Sequence, residues 1–191
     1  LRAGYFELAK HGLIHDRSLF EFLQQQTLEP LDFEFLEEVV TRSCDVKRRV
    51  VEEDEQETGL RATLNFGHTL GHLIETHAGY GQWLHGEAVG TGMLFATYVS
   101  WQEGHLTEEN YQRICDFLLP LLPKVTLPQL DATAFRALLL HDKKAENQAV
   151  NFILLRSLGE CFIQRQMSVE TLWKHFGCFL ETFPRACHLA A

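Results

Sequence analysis

The chain has 191 residues, 46% of them hydrophobic and 23% charged, with a formal net charge of -9. This is the composition of an ordinary globular protein able to bury a core, and its acidic balance excludes the broad basic face of a nucleic-acid-binding surface, though not a local basic cleft for an anionic metabolite. Five scattered cysteines without a CxxC pair point to reduced thiols and a cytoplasmic setting, and no apolar run approaches the roughly 18 residues of a membrane span.

The opening residues, LRAGYFELAKHGLI, already read as amphipathic helix and carry no initiator Met, so a piece of a longer protein is expected. Helical periodicity predicts short helices over 1–13 and 17–26 and a long one after Pro30, through DFEFLEEVVTRSCDVKRRVVEEDE. A helix from about 64 to 77 should end at Gly79, and another should cover about 85–103. TEENYQRICDFLLPLL reads as the next, and prolines at 120, 123 and 128 punctuate the chain before a short helix near 131–140. AVNFILLRS and ECFIQRQ, split by Leu158-Gly159, read as one β-hairpin. A last amphipathic helix, SVETLWKHFGCFLE, starts after a Ser168 cap. The expectation is a mainly α, multi-helical single domain over 1–191 with one small hairpin.

Two stretches concentrate imidazole among glycines: LNFGHTLGH at 64–72 and GQWLHGEAVGTGM at 81–93. His68 and His72 are four apart on one helix face, and His85 begins the next helical segment, where it can fold back beside them. Converging neutral imidazoles are the usual basis of a divalent metal site. Gly67, Gly71, Gly86 and Gly90 would let helices and substrate approach that point closely. Spacing alone leaves open which of the three histidines are ligands and which a base, and with Thr69 in place of Glu the pattern is not HExxH. His11, His15, His77, His105, His175 and His188 read as surface or capping residues. Lys10, Lys47, Arg61 and the pair Lys143-Lys144 lie beside helix ends or loops. Each alone would be a solvated charge, but beside a metal they could bind the carboxylate and phosphate of an anionic substrate.

Taken together, GLRATLNFGHTLGHLIET and LHGEAVGTGM resemble the 3-dehydroquinate synthase family of sugar phosphate cyclases. The resemblance extends in collinear order to RAGYFELAKHGLI, to KxxVVxxDE at 47–55 and to DKK at 142–144. It implies the C-terminal, helical, metal- and substrate-binding half of a two-domain fold whose N-terminal half binds NAD; no GxGxxG-like loop occurs in this chain. Carried across by motif, the metal ligands are Glu7, His68 and His85, with Zn2+ or Co2+ as the ion, while His72 sits in the substrate pocket. Lys10, Lys47, Arg61, Asn65, Lys143 and Lys144 complete that pocket, Lys143 being preferred of the last two. Arg61 and Lys47 are expected at the substrate carboxylate, and Asn65, His72 and the 143/144 lysine at its phosphate.

The implied activity is the NAD- and metal-dependent cyclisation of 3-deoxy-arabino-heptulosonate 7-phosphate, a seven-carbon keto-acid phosphate, to 3-dehydroquinate with loss of phosphate, a step of the shikimate pathway. The implied setting is a cytoplasmic protein, homodimeric at full length, with no nucleic-acid or membrane partner. The alternatives are another sugar phosphate cyclase, of the 2-deoxy-scyllo-inosose or valiolone type, or an inactive helical metal-binding module. The pairing of Asn65 with His72 favours the dehydroquinate synthase reading. The chain on its own is expected to be inactive.

Overall fold

The computed structural model describes residues 2–25, 32–56, 59–78, 83–122, 127, 130–141 and 149–188. Helix α1 (Arg2–His15) stops at Asp16, whose carboxylate accepts the Leu19 N–H at 3.0 Å and so starts α2 (Arg17–Leu23) in a new direction. Helix α3 (Phe33–Glu53) is capped in the same way by Asp32, which accepts from the N–H groups of Glu34 and Phe35. Its stripe Phe35, Val39, Val46 and Val50 is buried at helical spacing, and the rest of its surface is mostly charged and exposed.

The expected helix from about 64 begins later than its periodicity suggests. Leu60–Asn65 is a 3-10 turn, and α4 (His68–Ala78) starts only after Gly67, at φ +81°. Two local features impose this. The buried Asp54 carboxylate accepts the N–H groups of Gly59 and Arg61 at 2.8 and 2.9 Å, which fixes the turn. The left-handed backbone at Gly67 then resets the chain, a conformation that a Cβ would penalise.

Helix α5 (His85–Gln102) follows, its N-terminal N–H at Leu84 satisfied by the Glu87 carboxylate at 3.2 Å. From Ala88 to Ser100 every residue of α5 is buried, the signature of a central helix covered on all sides. It touches α1, α4, α6 (Glu108–Leu118), α8 (Val169–His188) and strand β1 (Ala149–Ser157). Helix α7 (Ala132–His141) packs on α4 and α8.

Strands β1 and β2 (Glu160–Ser168) form the antiparallel hairpin expected around Leu158-Gly159. Its turn docks on α1 through the Gly159 N–H to Leu13 carbonyl bond of 2.9 Å. Phe152 to Leu155 are buried in succession, so both faces of β1 are covered, and Leu155 N–H donates to Ser100 Oγ of α5 at 2.9 Å. Ser168 ends β2 and caps α8, accepting the Thr171 N–H at 3.0 Å. The α8 backbone continues to His188, beyond the expected end near Glu181. Among the described residues, the mainly helical fold with a single two-stranded sheet is as the sequence indicated. Cys44, Cys115, Cys161 and Cys178 are free thiols, and no described helix is long and apolar enough to cross a membrane.

Candidate metal centre

The site is assembled from the middle of α1 and the first residues of α4 and α5. Glu7 lies on α1, one turn before the buried Lys10, whose ammonium donates to Glu7 Oε2 at 2.6 Å. The other oxygen, Oε1, is buried with no hydrogen-bond partner. A carboxylate oxygen in that condition is costly unless something cationic meets it. Burial pushes the Glu7 carboxyl up, but Lys10 and then the imidazoles of His68 and His11 outweigh it and hold the group below the ordinary carboxylate value. Lys10 is lowered as well: burial depresses its ammonium, Glu7 opposes, and Lys47 adds like-charge repulsion.

His68 Nε2 lies 3.9 Å from Glu7 Oε1. Its Nδ1–H points at the Phe66 carbonyl, 3.3 Å away, so the proton sits on Nδ1 and the Nε2 lone pair is left for a ligand. Burial, then the charge of Lys10, lower this imidazole to about 4, so it stays neutral at physiological pH. His85, half exposed at the start of α5, places its Nδ1 3.2 and 3.3 Å from the two oxygens of Glu75. One donor atom from each of Glu7, His68 and His85 falls within 4.8 Å of the others. A carboxylate oxygen and two imidazole nitrogens are a donor set for zinc or cobalt, and three protein donors leave room for substrate oxygens. The orphaned Glu7 Oε1 and the two anchored Nδ1 protons fit such an ion.

His72 stands beside this group without joining it. Its ring centre is 5.5 Å from that of His68 and 6.2 Å from that of His85, and the donor cluster does not include it. Of the basic residues, Lys10 is inside the site and the exposed Lys47 is near enough to shift it electrostatically. Arg61 and Asn65 sit on the 3-10 turn leading into His68, with Arg61 Nη1 donating to the Glu55 carbonyl at 3.2 Å and Asn65 exposed. Lys143 and Lys144 lie outside the described residues, as do Gly79 and Gly81.

The glycines serve helix packing as well as access. A Cβ on Gly86 would stand 2.0 Å from the Ala3 carbonyl oxygen of α1, and one on Gly92 1.8 Å from the Gly67 carbonyl oxygen. These seams bring Glu7 to His85 and α4 to α5. Two of the histidines read as surface or capping residues are something else: His11 is buried against Ser43 at 2.6 Å, and His15 is half-buried against Thr63 at 2.7 Å.

Residues 4–145 match the family described as 3-dehydroquinate synthase C-terminal. The chain belongs to that family. Within the 3-dehydroquinate synthases, a relative from Pelobacter propionicus (strain DSM 2379 / NBRC 103807 / OttBd1) is 42% identical over 168 residues, covering 85% of this chain and 46% of its own length. The chain thus spans about half the length of this curated relative. Among solved structures, a 2-epi-5-epi-valiolone synthase from Streptomyces hygroscopicus subsp. jinggangensis 5008, with NAD+ and Zn2+ bound, superposes at a TM-score of 0.79 and 24% identity, over 95% of this chain and 51% of its own. A 2-deoxy-scyllo-inosose synthase complexed with carbaglucose-6-phosphate, NAD+ and Co2+ superposes at 0.69 and 23% identity, over 91% of this chain and 50% of its own. At such identity the two structures establish the shared fold.

Among the described residues nothing forms a cradle for NAD. The described strands are joined to each other by a hairpin turn, and neither leads through a glycine-rich turn into a helix that could receive a pyrophosphate. The residue that sequence reasoning missed is Glu75. Its signal was present: His68, His72 and Glu75 follow i, i+4, i+7 spacing and share one face of α4.

Proposed function

We propose that this chain is the metal- and substrate-binding half of a 3-dehydroquinate synthase that cyclises 3-deoxy-arabino-heptulosonate 7-phosphate to 3-dehydroquinate with release of phosphate. The observation that carries the reading is the convergence of Glu7, His68 and His85 around an orphaned carboxylate oxygen, in a chain 42% identical to a 3-dehydroquinate synthase. Glu7, His68 and His85 would hold a Zn2+ or Co2+ ion, whose chemistry is Lewis-acid polarisation of substrate hydroxyl and carbonyl oxygens. The NAD required by the reaction class is assigned to residues outside this chain, so the 191 residues alone should neither bind it nor turn over.

The chain's own groups then have separable tasks. Lys10 fixes Glu7 through the 2.6 Å ion pair and presents its remaining N–H donors to an anionic substrate. Lys47 and Arg61 meet the substrate carboxylate, Arg61 from a turn held rigid by Asp54. Asn65 and His72 face the phosphate end, joined by a lysine at 143 or 144. His72, one turn from His68 but outside the donor cluster, would serve as a substrate contact or proton-transfer group. The 42% identity to a 3-dehydroquinate synthase supports that activity, while the likeness to the valiolone and 2-deoxy-scyllo-inosose synthases, at 24% and 23%, carries the fold alone.

Metal content and phosphate release of three variants of the complete protein test this division. His68→Ala and His85→Ala should lose the ion, whereas His72→Ala should keep it and lose most turnover. Stoichiometric metal at unchanged affinity in the first two would refute the ligand set. Loss of metal from His72→Ala equal to that from His68→Ala would return His72 to the ligands.

A further inference from the structure

We infer that Glu75 is a positioning residue for the metal: its carboxylate holds the Nδ1 proton of His85 and so turns a lone-pair-bearing Nε2 towards Glu7 and His68. The inference rests on the reading of those three residues as ligands. Among the described hydrogen bonds, Glu75 is the partner of the His85 ring, with both oxygens at 3.2–3.3 Å from Nδ1.

The pairing follows from how α4 meets α5. A Cβ at Gly67 would touch Met93, and one at Gly71 would touch Val89, so each turn forward on α4 is matched by a turn backward on α5. The next step in that series sets residue 75 level with residue 85. Glu75 is therefore carried to His85 by the same glycine-lined seam that assembles the site.

The two imidazoles need different restraints. His68 has a side chain only 14% exposed and a backbone carbonyl on Nδ1, so packing and main chain orient it. His85 is 52% exposed at a helix start, where packing leaves its ring free to rotate, and a charged acceptor supplies what burial does not. A carboxylate on the far nitrogen of a ligating imidazole fixes its tautomer and raises its basicity, and such partners typically change metal affinity by about 10- to 100-fold. Glu75 also places a second negative charge by the centre, where Glu7 is already shared with Lys10.

Co2+ titration of the metal-free complete protein tests this through binding and the visible absorption of the ion, independent of turnover. Glu75→Ala should weaken Co2+ by about 10- to 100-fold. Glu75→Gln should weaken it less, because an amide oxygen still accepts from Nδ1. At saturating Co2+ both should show the parent spectrum, since the ligand set is intact, and the metal-free Tm of Glu75→Gln should match the parent. Affinity of Glu75→Ala within twofold of the parent, while His85→Ala loses the ion, overturns the inference and leaves the ligand set standing. A Co2+ spectrum altered in Glu75→Ala as it is in His85→Ala also overturns it, by making Glu75 a ligand. If the unmodified protein takes up no Co2+, or His85→Ala binds it unchanged, the ligand reading itself falls and the inference with it.

Discussion

His11 shows how one buried imidazole couples the core of this protein to pH. It is 6% exposed, bonded to Ser43, and held down to about 4 by burial first and by Lys10 second, with Glu7 opposing. In the unfolded chain an imidazole titrates near 6.5. Between these values the unfolded state binds a proton that the folded state does not, so stability falls as pH drops from about 6.5 to about 4. The full difference corresponds to roughly 3 kcal/mol as an upper bound. In the metal-free protein His68, also lowered to about 4, acts in the same direction. Thermal melts of metal-free His11→Gln between pH 7 and about 4 should therefore show a shallower loss of Tm than the parent. An unchanged slope would mean that His11 takes up its proton in the folded state as readily as in the unfolded one.

At the scale of elements, the decisive contact is the one between α1 and α5. Gly86 follows the proposed ligand His85 directly, and its missing side chain lets the α1 backbone at Ala3 pass where a Cβ would be 2.0 Å from a carbonyl oxygen. That contact is backbone on backbone, so no side chain can rotate aside. Gly86→Ala should force the helices apart, at a cost of roughly 1–3 kcal/mol or more, and move Glu7 away from His85. Metal affinity should fall together with Tm. By comparison, Gly4→Ala on α1 meets nothing within 4 Å and should leave both unchanged. A Gly86→Ala protein that melts and binds Co2+ like the parent would show that the α1–α5 seam has more give than the backbone spacing implies.

Across the whole molecule, the proposed ligands come from three helices separated along the chain by loops, so an ion would tie together α1, α4 and α5. Binding to the folded state alone adds about 2.7 kcal/mol at a hundredfold excess of free ion over Kd. For a chain of this size that is a rise in Tm of roughly 5–10 °C. Melting the 191-residue protein with Co2+, and again after chelation, should show the rise and its reversal. The rise should persist in His72→Ala and vanish in His68→Ala. No ion-dependent change in the parent would remove the metal from the account of this fold.

The sequence by itself determined the elements, because the signals for them are local. Asp16, Asp32, Thr107 and Ser168 each cap a helix through bonds two or three residues ahead, and Leu158-Gly159 turns a hairpin whose strands are adjacent in the chain. The His68, His72 and His85 concentration was equally legible, as was the motif wording that brought Glu7 into the expected ligand set. Spacing could not have selected Glu7 from the other carboxylates, since only the packing of α1 on α5 brings residue 7 to residues 68 and 85. The late start of α4 escaped periodicity for a local reason, the Asp54 bonds to the turn and the left-handed Gly67. Tertiary structure also placed His11 in the core and paired Glu75 with His85 across the α4–α5 seam. Periodicity and capping act over one helical turn, whereas burial, close backbone approach and the convergence of donors depend on which helices meet and at what level.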